Sequence, residues 1–222
     1  MQDLILYSQI SAARHTQVLQ ILAGLTASQP APLLEQHLVF EQIKLPPASK
    51  KGQTPQAQRR TYQHLIRRPQ ESTSWKLRKA EVPEPGVKQI LSQSVVEITL
   101  PEAELGKFRS GSEWYKFVSQ YYLQGHQFVQ GNVVVMVNRV YPAEASSGDP
   151  IDVDAPTTVS LPPLDTSGSY VIEACVRLED GSTTTLRDQA TKELLAFADS
   201  LKGAIDLRVP DRLALDPRIK GT

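Results

Sequence analysis

The stretch Trp114–Tyr141, WYKFVSQYYLQGHQFVQGNVVVMVNRVY, is the densest apolar and aromatic run of this 222-residue chain, and its reading decides the fold around it. Gly131-Asn132 divides it into two arms. In the second arm Val133, Val135, Val137 and Tyr141 point to one side and Val134, Met136 and Val140 to the other. Both faces are apolar, which predicts a strand covered on both sides and placed mid-sheet. The first arm admits two readings, and periodicity alone leans to a helix. Trp114, Phe117, Val118, Tyr121 and Tyr122 recur at helical spacing, while the aromatic richness and the in-line Gly125 favour a strand.

Working outward, Leu4–Ile10 alternates as a strand. Ser11 is placed to cap a helix carrying Val18, Leu19, Leu22 and Leu25, with Gly24 and Pro30-Ala31-Pro32 expected to end it. His37–Ile43, Tyr62–Arg67, Trp75–Ala80 and Leu91–Leu100 read as further strands, the last two separated by the turn Pro83-Glu84-Pro85-Gly86. Pro101 opens a short helix through Phe108, with Glu102 and Glu104 where the helix dipole favours acids. Ser169–Leu178 is a strand holding Cys175, and Asp180-Gly181 is a turn. A helix follows over about Leu186–Lys202, with Ala190, Leu194, Phe197, Ala198 and Leu201 on one stripe. The tail from Ala204 to Ile219 alternates weakly and is expected to add an edge strand. Residues 45–58 and 142–168 are polar, Pro-containing loops, expected to be mobile.

About eight strands and two main helices predict an α+β, mainly β chain: an antiparallel β-barrel with the helices laid outside, as one domain over 1–222. Lys+Arg and Asp+Glu are 24 each and the net charge is +0, so the whole molecule lacks the basic excess of a dedicated nucleic-acid binder. The charge is nonetheless uneven. Lys44–Ala80 is basic and Glu144–Asp180 acidic, a dipole if the two lie on different faces and a neutral pair if they adjoin. One cysteine excludes disulfides and thiolate metal clusters and suits a reducing compartment. No run approaches 18 apolar residues and no basic n-region precedes the first apolar run, so the sequence predicts neither a secreted nor a membrane-spanning protein.

The search for chemistry finds little. His15, His37, His64 and His126 are too far apart for a zinc pattern. Glu41 and Glu97 each stand alone on their strand faces, Glu102 and Glu104 suit a helix start, and Asp152 and Asp154 lack the glycine and glutamate of a calcium loop. There is no nucleophile elbow, P-loop or zincin motif. No cofactor and no metal is expected.

The pattern Tyr121, Gly125, Phe128, Gly131, followed by a valine-rich strand ending Arg139-Val140-Tyr141, resembles subunit 18 of the Mediator complex of RNA polymerase II transcription, in its fungal form. LILYSQI (Leu4–Ile10), HLVFEQI (His37–Ile43), WKLRKA (Trp75–Ala80), SVVEITL (Ser94–Leu100), YVIEACV (Tyr170–Val176) and the closing LKGAIDLRVPDRLALDPR (Leu201–Arg218) extend the resemblance nearly end to end. It implies that the first arm is a hairpin strand, and that the fold is a barrel akin to the tunnel-shaped RNA triphosphatases. It also implies a nuclear, non-catalytic scaffold subunit of the head module that binds Mediator subunit 20 and the C-terminal helix of subunit 8. Other head-module subunits and the polymerase would be met indirectly, with no sequence-specific nucleic-acid binding. Two rivals are a tunnel-type phosphohydrolase and a single-stranded nucleic-acid binder using Lys44–Ala80 with Tyr62 and Trp75 as stacking residues. As a strand, the first arm would put Tyr115, Phe117, Tyr121 and Leu123 on one side and Trp114, Val118 and Tyr122 on the other. That is more aromatic area than one core needs, so either a partner or an outer helix covers one side, and Tyr115, Phe117, Tyr121 and Leu123 are the candidate partner-binding residues.

Overall fold

The computed structural model describes residues 1–43, 61–72, 74–86, 89–109, 112–143, 159 and 161–219. Its longest strand settles the first arm: Tyr115–Gln130 is one sixteen-residue strand, β6. The helical stripe gives way because ladders are available on both flanks, to β2 (Ala31–Gln42) over Tyr115–Gln127 and to β7 (Val133–Pro142) over Tyr121–Gln130. Backbone groups paired on both sides outweigh one amphipathic stripe. Gly125 is needed there, since a Cβ would stand 2.0 Å from the Val137 carbonyl oxygen across the ladder. Gly131 makes the hairpin turn at φ +57°.

The remaining strands are β1 (Gln2–Ile10), β3 (Tyr62–Arg67), β4 (Lys76–Ala80), β5 (Leu91–Thr99) and β8 (Tyr170–Leu178). All eight form a closed antiparallel barrel in the order β1-β5-β4-β3-β2-β6-β7-β8, with β8 paired back onto β1. Helices α1 (His15–Thr26) and α3 (Thr184–Ser200) are the two main helices expected, and α2 (Glu102–Leu105) is the short one opened by Pro101.

The larger apolar core lies outside the barrel wall. Leu4 and Leu6 of β1, Val133, Val135 and Val137 of β7, and Ile172, Ala174 and Val176 of β8 pack beneath Val18 and Leu22 of α1 and Ala190, Leu194 and Phe197 of α3. Each large aliphatic side chain buried in this layer contributes about 1.5–3 kcal/mol. A second outer cluster joins Leu38 and Phe40 of β2, Leu65 of β3 and Trp75 to Leu105 and Phe108 at α2. β7 is covered on both faces as its pattern predicts, because its other face looks into the barrel.

Three local expectations are corrected. Pro30-Ala31-Pro32 does not merely end α1: β2 starts at Ala31 and runs six residues ahead of His37. Pro32 is tolerated because β3 joins β2 only from Gln36, so the missing N–H falls where just one flank is paired. Ser11 makes no side-chain cap; its carbonyl accepts from Arg14 N–H in a 3-10 turn, Ala12–Arg14, that leads into α1. The tail adds no strand among the described residues. It crosses one mouth of the barrel on two isolated bridges, Tyr7 to Arg208 and Thr61 to Arg218, around a 3-10 turn at Arg212–Leu215. Leu215 packs there on Ile5, Leu91 and Tyr7. Of the two expected mobile loops, residues 44–60 and 144–158 lie outside the described residues; Leu161–Gly168 forms bends tied to β7 by Leu164 N–H to the Val140 carbonyl, 2.9 Å.

Candidate functional site

Strand alternation sends one face of every strand into the lumen, and that face is charged. Asp3 of β1, 1% exposed at its side chain, accepts from Arg177 of β8 (Nε to Oδ1 2.8 Å, Nη2 to Oδ2 3.0 Å) and from Arg78 of β4 (Nη2 to Oδ2 2.8 Å). Glu97 of β5 accepts from Arg177 Nη1 at 3.1 Å and from Arg78 Nη1 and Lys76 Nζ at 3.4 Å. Two carboxylates and three cations thus tie four strands together. The hydrogen bonds to Asp3 raise Arg177 above the usual guanidinium range, against the opposing effect of burial.

A second lumen cluster lies on β2, β3 and β6. Glu35 accepts from Arg68 Nε at 2.8 Å and pairs with His37 Nε2 at 3.1 Å. Burial alone would raise this carboxyl, but His37 and the Arg68 guanidinium outweigh it and hold Glu35 down at about 2. Tyr121 stacks on His37, centroids 4.7 Å apart, with its hydroxyl 3.3 Å from His37 Nδ1 and 3.5 Å from His64 Nδ1. Burial, reinforced by the charges of His37 and Arg78, lowers His64 to about 4. Burial and Glu35 push Tyr121 up to about 12. Deeper in, Tyr7 donates to Glu173 at 2.8 Å and burial raises the Glu173 carboxyl. Burial also raises the Cys175 thiol, which disfavours the thiolate a nucleophile needs.

The lumen therefore holds more charge than the isolated Glu41 and Glu97 suggest, because acids from different strands converge. Asp3, Glu35, Arg78 and Arg177 go unnoticed when each strand is read alone. Their signal is residue type at inward positions, Asp3-Ile5-Tyr7 on β1 and Glu173-Cys175-Arg177 on β8, visible once the pairing is known. Asp3, Glu35 and Glu97 are already paired with arginines, so a divalent cation there would have to displace those ion pairs, and Glu173 is held by the Tyr7 hydroxyl. Among the described residues no group of three or more His, Cys, Asp or Glu is placed to hold a metal.

The predicted partner-binding residues do not share a side. A β-bulge opposite Val39/Phe40 pairs Ser119 with Val39 and Phe117 with Phe40, leaving Val118 as the extra residue. Tyr115 and Phe117 are thereby turned outward, Tyr115 stacked on Phe108 and Phe117 edge-on to Phe40. Tyr121 and Leu123 face the lumen. Phe117 (39% exposed) and Val118 (45%), joined by Ile43 (45%), leave an apolar rim that sequence reading located only in part. In the Lys44–Ala80 segment the described arginines are engaged within the fold, while Lys79 is exposed. Arg67 is buried on Gln36 and over the Trp75 ring, Arg68 and Arg78 are in the lumen pairs, and Trp75 is 1% exposed, closed to any base. Lys44, Lys50, Lys51, Arg59 and Arg60, with Glu144, Asp149, Asp152 and Asp154 of the acidic segment, lie outside the described residues.

Fold and lumen define a class: a closed eight-stranded barrel cross-linked internally by its own ion pairs, with its apolar layers on the outside. Within that class the chain belongs to the Med18 family, whose family model, described as "Med18 protein", matches residues 2–218. Similar curated proteins include the "Mediator of RNA polymerase II transcription subunit 18" of Aspergillus niger, 28% identical over 273 residues, covering 99% of this chain and 100% of that protein. The protein of the same name from Yarrowia lipolytica is 26% identical over 243 residues, with 99% and 100% covered. Among solved structures, a chain of the Schizosaccharomyces pombe Mediator head module is 16% identical with a TM-score of 0.72, covering 95% of this chain and 99% of that one, and shares the fold.

Proposed function

We propose that this protein is a non-catalytic scaffold subunit of the nuclear Mediator complex, seated in its head module and serving RNA polymerase II transcription. The observation that carries the reading is the end-to-end match to proteins of that name, with both chains covered almost completely. The lumen ion pairs on Asp3 and Glu97 support the non-catalytic part, since neither carboxylate could take a metal–phosphate substrate without giving up its arginines. Subunit 20 and the C-terminal helix of subunit 8 are the proposed direct partners. The apolar rim of Ile43, Phe117 and Val118, with Tyr115 behind it, is the proposed anchor. It joins exposed aromatic and aliphatic area at a strand irregularity, where side chains are re-aimed outward.

Co-expression with subunit 20 and the subunit 8 tail, followed by size-exclusion chromatography, tests the assignment: one ternary peak is expected. Elution of the chain alone from all mixtures would sink it. Phe117→Asp with Val118→Asp should then weaken assembly by about 2 kcal/mol while leaving the thermal midpoint of the free chain within about 2 °C.

A further inference from the structure

The tail leaves the α1–α3 layer after Ile205, which is buried there, and Leu207, which is half-buried. From Arg208 to Ile219 no residue is buried, and Val209 (39%) and Leu213 (53%) stand in solvent. Its ties to the barrel are light. Tyr7 and Arg208 exchange backbone bonds of 2.8 and 2.7 Å, and Tyr62 N–H donates to the Pro217 carbonyl at 2.9 Å. Arg212 Nη1 reaches the Pro83 carbonyl at 3.3 Å, and Gln93 Nε2, bonded to the Glu81 carbonyl at 2.7 Å, reaches the Leu215 carbonyl at 3.4 Å. The ion pairs Asp206–Arg208 and Asp216–Arg218 and the Asp211 cap join tail residues to one another, so they survive if the segment lifts as a unit.

What lies beneath is apolar. Leu215 sits on Ile5, Leu91 and Cys175, a small buried cluster that belongs to neither outer layer and lines the lumen at this mouth. Beside them Tyr7 donates to Glu173. Lifting the tail exchanges a few hydrogen bonds for bonds to water, a small net loss for each, and bares one half-buried leucine. Unfolding the barrel must dismantle both outer layers and the lumen ion pairs. A segment with so little buried contact opens far more readily than the fold it lies on.

We infer that residues 208–219 form a strap that opens while the barrel stays folded, hinged on the buried Ile205, and that this opening is the way into the lumen at its mouth. Closed, the strap seals Cys175 and the Tyr7–Glu173 pair from solvent. Open, it admits water and small solutes to them and frees the Tyr7 edge of β1, where β5 pairs no further than Ile5.

Native-state hydrogen exchange and thiol labelling of the full chain, whose single thiol is Cys175, test this. In rising urea below the unfolding transition, the Tyr7 and Tyr62 amides, whose acceptors are strap carbonyls, are expected to exchange at least about a hundredfold faster than the Val135 amide of β7, with almost no urea dependence. Methyl methanethiosulfonate should modify Cys175 with the same flat dependence. Leu215→Ala should speed both processes about fivefold, the effect of withdrawing a half-buried leucine's apolar contact. Leu194→Ala, in the α3 layer, should speed only exchange that requires the barrel to unfold, as at Val135. The inference fails if the Tyr7 and Tyr62 amides exchange as slowly, and with as steep a urea slope, as Val135, since the strap then opens only with the barrel. It fails equally if those amides are fast but Cys175 labelling tracks Val135, or if a folded Leu215→Ala leaves the labelling unchanged, since the lumen is then reached by another route. The wild-type urea dependences decide the question even if neither variant folds.

Discussion

At the scale of the residue, the lumen histidine His64 sets an acid limit. Burial holds its imidazole down at about 4 in the folded chain, against the ordinary 6.5 of an open one. The unfolded chain takes up the proton first, so this contribution is whole above pH 6.5 and is lost progressively as the pH falls to about 4. The full loss is about 3 kcal/mol. Denaturant unfolding at pH 7, 5.5 and 4.5 should show the decline, and His64→Gln should flatten it; an equally steep decline in the variant would place the effect elsewhere. Glu35 acts over a lower window, its contribution whole above 4.5 and lost towards about 2. Gly125 is constrained sterically. Because the obstacle to a Cβ is the Val137 backbone oxygen, Gly125→Ala should cost about 3 kcal/mol, lowering the thermal midpoint by roughly 6–12 °C. A change under about 2 °C would show that the β6–β7 ladder yields without strain.

At the scale of the element, β1 illustrates how an inward acid holds a barrel shut. Asp3 is fully buried, yet it bonds Arg177 from the strand beside it and Arg78 from two strands away. Asp3→Asn leaves those arginines short of a counter-charge and should destabilise by about 3 kcal/mol, less than for a wholly buried pair because Arg177 is partly exposed. Adding Arg177→Gln should recover part of the loss, since the charge without a partner is then gone. Strictly additive losses would mean the ion pair is not what couples the strands. β6 carries the contrasting lesson. One bulge divides its aromatic residues between an outer rim and the lumen, so Tyr115 and Tyr121, six residues apart, belong to different environments.

At the scale of the whole molecule, the tail closes one mouth of the barrel. The Tyr7 and Tyr62 amides donate to the carbonyls of Arg208 and Pro217 at 2.8 and 2.9 Å. Hydrogen exchange at these two amides should accelerate at least about tenfold when residues 207–222 are removed, about 1.4 kcal/mol of lost local protection, while β7 amides keep theirs. Uniform acceleration would instead show that the tail supports the entire barrel. Two outer helical layers and a cross-linked lumen cover much of the wall, so the β6 rim stands out as a surface available to other molecules.

Much of this was legible in the sequence. Strand patterning located six of the eight strands to within a few residues, β6 was read as a strand only through the resemblance, the apolar stripes located α1 and α3, and the aromatic hairpin with its motif order pointed to the family. Alternation works because a half-buried strand repeats locally, whatever its partners. The sequence by itself determined where most of the strands lie and that β7 is covered on both faces. Only the tertiary structure decided which face is the inside: a barrel's lumen is defined by closure among distant strands, so Asp3, Glu35, Glu97 and Glu173 read as isolated acids until pairing brings them together with Arg78 and Arg177. The start of β2 at Ala31 and the bulge opposite Val39 were likewise settled by pairing, since a proline and one extra residue are tolerated or not according to what the neighbouring strand presents.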